Sequence, residues 1–193
     1  MNSLIEITEK IARKYHADIE HAKEVINYSK MIFDALNLVS KNLNESDKKY
    51  LIAAAMLHDI GYFVEKKSHH KHSMDLILQE NIECFSKEEI LLVANIARYH
   101  RGSFPDEKLH ENYSILSFEK RNLVLKLASI LRLADGFDKP HKNLILRMRV
   151  ENKEDELVFY LKSVGFKPSL KAANQKKELL EFVYNKKISF VIE

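Results

Sequence analysis

The chain has 193 residues, 46% of them hydrophobic and 31% charged, with a formal net charge of +3. That length suits one domain, or one domain with a small appendage, and is enough to bury a core. The charge is too mild to argue for nucleic acid, and the lone Cys84 excludes an intramolecular disulfide. No apolar run approaches membrane-spanning length, and the N-terminus MNSLIEITEK lacks a signal-peptide core, so a cytoplasmic protein without a membrane partner is expected. Four glycines and three prolines predict long regular elements, mostly helices.

In chain order, residues 3–15 predict an amphipathic helix with Leu4, Ile7 and Ile11 on one face. Asp18 is a candidate N-cap for a helix to about Val39, with Ala22, Val25, Ser29, Ile32 and Leu36 inward. His21 lies one turn before Val25 and points the same way. After the polar stretch SKNLNESDKKY, a helix beginning at Ser46 or Asp47 carries the alanine-rich run AAAMLHD. His58 continues its buried face, Asp59 follows, and Gly61 is expected to stop the helix.

The segment YFVEKKSHHKHS holds three histidines in four positions. His72 is expected to enter a helix over 71–80 and face the core, leaving His69 and His70 in a solvated loop. Ser86 and Glu89 form a capping-box pattern that opens a helix to about Tyr99. Val93, Ile96, Ala97 and His100 share one face of it. The polar loop RGSFPDEKLHENYS has the length of a functional lid, with His110 expected at its surface. A strongly apolar helix over 117–138 then carries Val124, Leu127, Ala128 and Leu131, and Asp135 continues that stripe. As a structural residue, Asp135 would pair with Arg132 or Lys139 or cap a neighbouring helix.

Beyond Pro140 the period changes to two. Leu144, Leu146, Met148 and Val150 alternate with Ile145, Arg147 and Arg149, and Leu157, Phe159 and Leu161 repeat the pattern after a turn. A helix over 172–184 and a strand through Ile188, Phe190 and Ile192 complete the chain. The expected fold is therefore mostly α: a helical domain over 1–142 with a small β-β-α-β subdomain over 143–193 packed on it.

His21, His58, Asp59, His72, His100 and Asp135 all lie at or near the ends of predicted helices, most of them continuing an apolar stripe. Buried charges are paired or bind metal, and four imidazoles with two carboxylates form a nitrogen and oxygen ligand set. That set suits a divalent transition metal, Mn, Fe, Co, Ni or Zn, and the lack of paired cysteines argues against structural zinc. A carboxylate such as Asp59 can bridge two metals, a common arrangement for phosphate-ester hydrolysis.

The order H…HD…H…H…D across five helices resembles the HD superfamily of metal-dependent phosphohydrolases over roughly residues 18–140. The stretches HHKHS, IARYHRGS and ILRLADGFDKPH are most similar to the C-terminal region of the exopolyphosphatase and guanosine pentaphosphate phosphatase family. The resemblance implies a metal core of His21, His58, Asp59 and Asp135, with His58 and Asp59 as the catalytic pair and His72 and His100 holding a second metal. The long members of that family carry an N-terminal actin-like part that performs the polyphosphate chemistry. These 193 residues have no room for it and show no glycine-rich phosphate loop, so exopolyphosphatase activity is not implied.

The expected activity is hydrolysis of a nucleotide or related phosphate ester or phosphoanhydride by metal-activated water, with two metals per chain. The alternative is a non-catalytic module that binds a nucleotide or polyphosphate. Arg101, Lys71, Arg98 and Lys139 flank the candidate ligands in sequence and are candidates for the substrate phosphate, for which arginine offers a bidentate fork. A homodimer is compatible with the sequence but not specified by it.

Overall fold

The computed structural model describes residues 2–40, 42–138, 145–165 and 168–193, the Asn2 side chain excepted. Seven helices come first: α1 (Asn2–Lys14), α2 (Ile19–Ser40), α3 (Lys48–Leu57), α4 (His69–Gln79), α5 (Lys87–Arg98), α6 (Glu111–Ser114) and α7 (Phe118–Phe137). Strands β1 (Ile145–Asn152) and β2 (Glu156–Ser163), helices α8 (Lys171–Lys176) and α9 (Glu178–Tyr184), and strand β3 (Lys187–Ile192) follow. The mostly helical fold with a small β appendage is thus the observed one.

The fold is built around α3. Every residue from Leu51 to Leu57 is buried, so beyond its first turn this helix has no polar face, the signature of a helix enclosed on all sides. It packs against α1, α2, α5 and α7. Ala53, Ala54 and Ala55 present little bulk, which lets neighbouring backbones come close. The expected inner residues of α2, from Ala22 to Leu36, are all buried. The capping box of α5 is formed: the Glu89 amide donates to Ser86 Oγ (3.3 Å) and the Ser86 amide donates to Glu89 Oε2 (2.9 Å).

The three strands lie in the order β1-β2-β3, with β1 antiparallel and β3 parallel to β2. Val150 opposes Phe159, which in turn opposes Phe190. The simple alternation expected for the first strand is broken. A bulge between Ile145 and Arg147 shifts the phase, so Ile145 is buried and Leu146 is 54% exposed. Leu144 lies outside the described residues. The helix expected over 172–184 is two helices interrupted at Lys177. Strand β1 packs on α2, and α8 and α9 pack on α7. A Cβ on Gly136 would stand 2.9 Å from Ala173 Cα, so α7 and α8 meet almost backbone to backbone.

Candidate metal centre

The ends of α2, α3, α4, α5 and α7 converge on one point. At the start of α2 the His21 amide donates to Asp18 Oδ1 (3.0 Å), so the cap residue also fixes the turn that carries His21. His58 follows the last residue of α3. Asp59 takes φ −108° and ψ 5°, the bridge between α3 and a short 3₁₀ turn over Ile60–Phe63.

That turn and α4 are in intimate contact. Ser73 Oγ donates to the His58 carbonyl (2.6 Å) and accepts from the Gly61 amide (2.9 Å). A Cβ on Gly61 would lie 2.0 Å from the His69 carbonyl oxygen. Gly61 is therefore needed for the close approach of α4, and the helix before it has already ended at Leu57. Because α4 begins at His69, the first histidine of the cluster, and not His72, faces Asp59.

Asp59 sits between two pairs of imidazoles. Its Oδ2 lies 3.6 Å from His21 Nε2 and 3.4 Å from His58 Nε2. Its Oδ1 lies 3.1 Å from His69 Nε2 and 3.6 Å from His100 Nε2. Within each pair the two Nε2 atoms are 3.3 Å apart. Asp135 Oδ1 approaches His21 Nε2 at 3.5 Å.

All four rings are held by their other nitrogen. His58 Nδ1 donates to the Ala55 carbonyl (2.8 Å), His100 Nδ1 to the Ala97 carbonyl (2.8 Å) and His69 Nδ1 to the Lys66 carbonyl (3.1 Å). His21 Nδ1 lies 2.5 Å from Asp138 Oδ2. A neutral imidazole that donates from Nδ1 has only a lone pair at Nε2. Burial holds His58 down to about 4 and His100 well below the usual imidazole range, so both are neutral at pH 7. The Asp59 carboxyl lies below the usual carboxylate range despite its burial and is ionised at pH 7.

Lone pairs therefore face lone pairs around a carboxylate whose Oδ1 is buried without a hydrogen-bond partner. Only a positive charge satisfies such a set, and the chemistry of the donors fits divalent metal. His21, His58 and Asp59 form one group whose donor atoms all lie within 4.8 Å of one another, and Asp59, His69 and His100 form another; His58, His100 and Asp135 also satisfy that limit.

Five of the six expected ligands, His21, His58, Asp59, His100 and Asp135, meet here. His72 does not: its Nε2 faces Glu65 at 3.9 Å and its side chain is 30% exposed. His69 and His70 are buried, contrary to expectation. Arg101 lines the cavity over the centre. Lys71 and Arg98 line a different cavity, because helical geometry turns them away from His69 and His100. Lys139 lies outside the described residues.

Three contributors escaped the sequence reading. His69 could have been found from Ser68, a cap-type residue whose carbonyl accepts from the Lys71 and His72 amides and so marks an earlier helix start. Asp138 stands three residues after Asp135, on the same face of the helix end. Lys176 had no local signal, since only the docking of α8 on α7 brings it to Asp135, its ion-pair partner. Burial lowers the Lys176 ammonium to about 8, against the attraction of Asp59. The cavity holds about 340 Å³, and Lys176, Arg101 and Tyr62 are among its walls. Tyr62 stacks on the His69 ring at 3.9 Å between centroids.

Comparison with known proteins agrees with this architecture. A family model described as Ppx/GppA phosphatase, domain III, matches residues 6–181. The chain is similar to a guanosine-5'-triphosphate,3'-diphosphate pyrophosphatase of Pseudoalteromonas atlantica, with 27% identity over 148 residues, 75% of this chain and 29% of the relative. A protein of the same name from Pseudoalteromonas translucida is 33% identical over 96 residues, 46% of this chain and 18% of the relative. The chain thus spans less than a third of the curated relatives it matches. No helix among the described residues is long and apolar enough to cross a membrane. With the family model covering nearly its whole length, the chain belongs to the Ppx/GppA phosphatase domain III family.

Proposed function

We propose that this chain is a metal-dependent phosphohydrolase of the HD type, acting on a nucleotide or a related phosphate ester or phosphoanhydride. The observation that carries the reading is the split of Asp59, with one carboxylate oxygen turned to each pair of lone-pair-bearing Nε2 atoms. His21, His58 and Asp59 would hold one divalent cation, with Asp135 beside His21, and Asp59, His69 and His100 would hold a second. Bound there, such cations neutralise phosphoryl charge and bring the pKa of a water towards neutrality.

The remaining steps belong to the chain's own groups. Asp138 holds His21 in the tautomer that turns its lone pair inward. Arg101 and Lys176 bring positive charge to the open side of the cavity, where phosphoryl oxygens would lie. Tyr62 covers the His69 ring and fixes its plane. Water adds its oxygen to phosphorus and gives up a proton, the P–O bond to the leaving group breaks, and the leaving oxygen gains a proton in its place, so that the water is divided between the two products. Direct attack by water is expected; a phosphocysteine is not, since Cys84 is exposed and does not line this cavity. The names of the relatives, which refer to a guanosine polyphosphate, favour a nucleotide as substrate.

The test is a screen of nucleotides and phosphate esters with Mn and other divalent metals, paired with elemental analysis. Two metals per chain and chelator-sensitive phosphate release are expected, with label from ¹⁸O-water in the phosphate of a single turnover. If the fully metallated protein turns over none of these compounds, a nucleotide- or polyphosphate-binding module becomes the better reading.

A further inference from the structure

Lys71 and Arg98 line a second cavity, of about 250 Å³, bounded by α4, α5 and the segment 110–113. Arg98 is only 7% exposed, and its Nη1 is buried without a hydrogen-bond partner. The guanidinium lies over the Tyr99 ring, 5.3 Å from its centroid. Stacking of that kind recovers less than the cost of keeping a guanidinium away from water. Asp75 and Glu111 also line the cavity, and the charge of Asp75 acts on Arg98; both carboxylates are exposed and screened by water, and among the described residues neither forms an ion pair with Arg98 or Lys71.

A third donor faces the same space. His110 Nδ1 accepts the Asp106 amide (3.0 Å), so the neutral ring carries its proton on Nε2. Burial, reinforced by the charges of Arg98 and Lys71, holds His110 below the usual imidazole range, which keeps it neutral at pH 7.

We propose that this cavity is a binding site for a phosphate-class oxyanion, free or as the terminal group of a nucleotide, held by Arg98, Lys71 and His110. The buried guanidinium offers a planar fork that matches two phosphate oxygens, and the ammonium of the exposed Lys71 stands with it as a second charge. The site is separate from the proposed hydrolytic cavity: Lys71 and Arg98 each lie two residues from a histidine of the metal centre, yet neither lines that cavity.

The ring signals of His110 report on this cavity and on no metal. Inorganic phosphate titrated into the chelated full chain at constant pH should move them saturably. Lys71→Glu, at an exposed position that tolerates the change, should raise the half-saturating concentration about tenfold or more, whereas Lys176→Ala, in the other cavity, should leave it unchanged. A nucleoside monophosphate that saturates at lower concentration than phosphate would identify the nucleotide as ligand; an equal or weaker response would identify the free ion. Silent His110 signals, or a Lys71→Glu titration identical to that of the unaltered protein, would overturn the site and leave Arg98 as a stacking partner of Tyr99. Since neither metal nor turnover is involved, this outcome is independent of the hydrolase reading.

Discussion

His21 Nδ1 lies 2.5 Å from Asp138 Oδ2, a buried carboxylate behind a ring whose other nitrogen faces Asp59. Such a partner fixes the tautomer and raises the basicity of the inward nitrogen. Asp138→Asn keeps the shape but can present an amide N–H to Nδ1 and favour the wrong tautomer. Metal affinity should fall about 10- to 100-fold while the circular dichroism stays helical. Unaltered affinity in a competition titration with a chelating dye would remove Asp138 from the design of the centre.

His69 and His72 separate cleanly. His69 stands 3.1 Å from Asp59, and His72 turns towards Glu65. His69→Ala should lower metal content towards one per chain, while His72→Ala should leave it as it is. Elemental analysis of the two variants decides the matter; a loss in His72→Ala alone would reverse the assignment.

The sequence was informative wherever a residue's place is set by its own helix. Periodicity alone placed His21, His58, His100 and Asp135 on buried stripes, and the capping pattern at Ser86 and Glu89 located α5. The sequence points to His72 instead of His69 because a start for α4 placed two residues too late rotates every side chain on that helix to a wrong bearing. Lys176 was beyond reach for a different reason: α8 is a short helix whose meaning comes only from its contact with α7. In β1 a single bulge defeated the alternation that otherwise describes a strand.

Gly61→Ala should be costly, because the turn that carries this buried glycine packs directly on α4. The added methyl would meet the His69 carbonyl and the Ser73 amide, both backbone atoms that cannot rotate away. A loss of about 1–3 kcal/mol is expected from overpacking of this kind. Urea denaturation should show the shift, and metal content should fall with it, since the same clash displaces His69. Equal midpoints for the two proteins would contradict the close approach.

Lys176→Ala should raise the Michaelis constant for a phosphate substrate about tenfold, or about 1.4 kcal/mol, with metal content unchanged. Lys176→Arg should recover part of the loss. If the alanine variant instead loses metal and keeps its Michaelis constant, Lys176 serves to orient Asp135.

Acid should expose the work of Glu89. Its carboxylate accepts from Lys49 and Tyr50 as well as from the Ser86 amide, and these bonds lower its pKa to about 2. A depressed carboxyl stabilises the fold above its unfolded pKa and loses that contribution as pH falls from about 4.5 through about 2. Solvent screening reduces the effect to about 1 kcal/mol. Glu89→Gln should therefore lower the melting temperature at pH 7, and the gap from the unaltered protein should close near pH 2. A gap that persists in acid would point to packing rather than charge.

The nearly bare meeting of Gly136 with Ala173 sets what can be transplanted from this molecule. A graft of residues 1–142 into a host would carry every imidazole of the centre, yet would present Asp135 to whatever the host placed beside it. Chimaeras among relatives would need to exchange α7 and α8 together, although some thirty residues separate them in the chain. The heritable unit of this chemistry is a pair of helices joined by contact, and recombination points between them would be expected to break it.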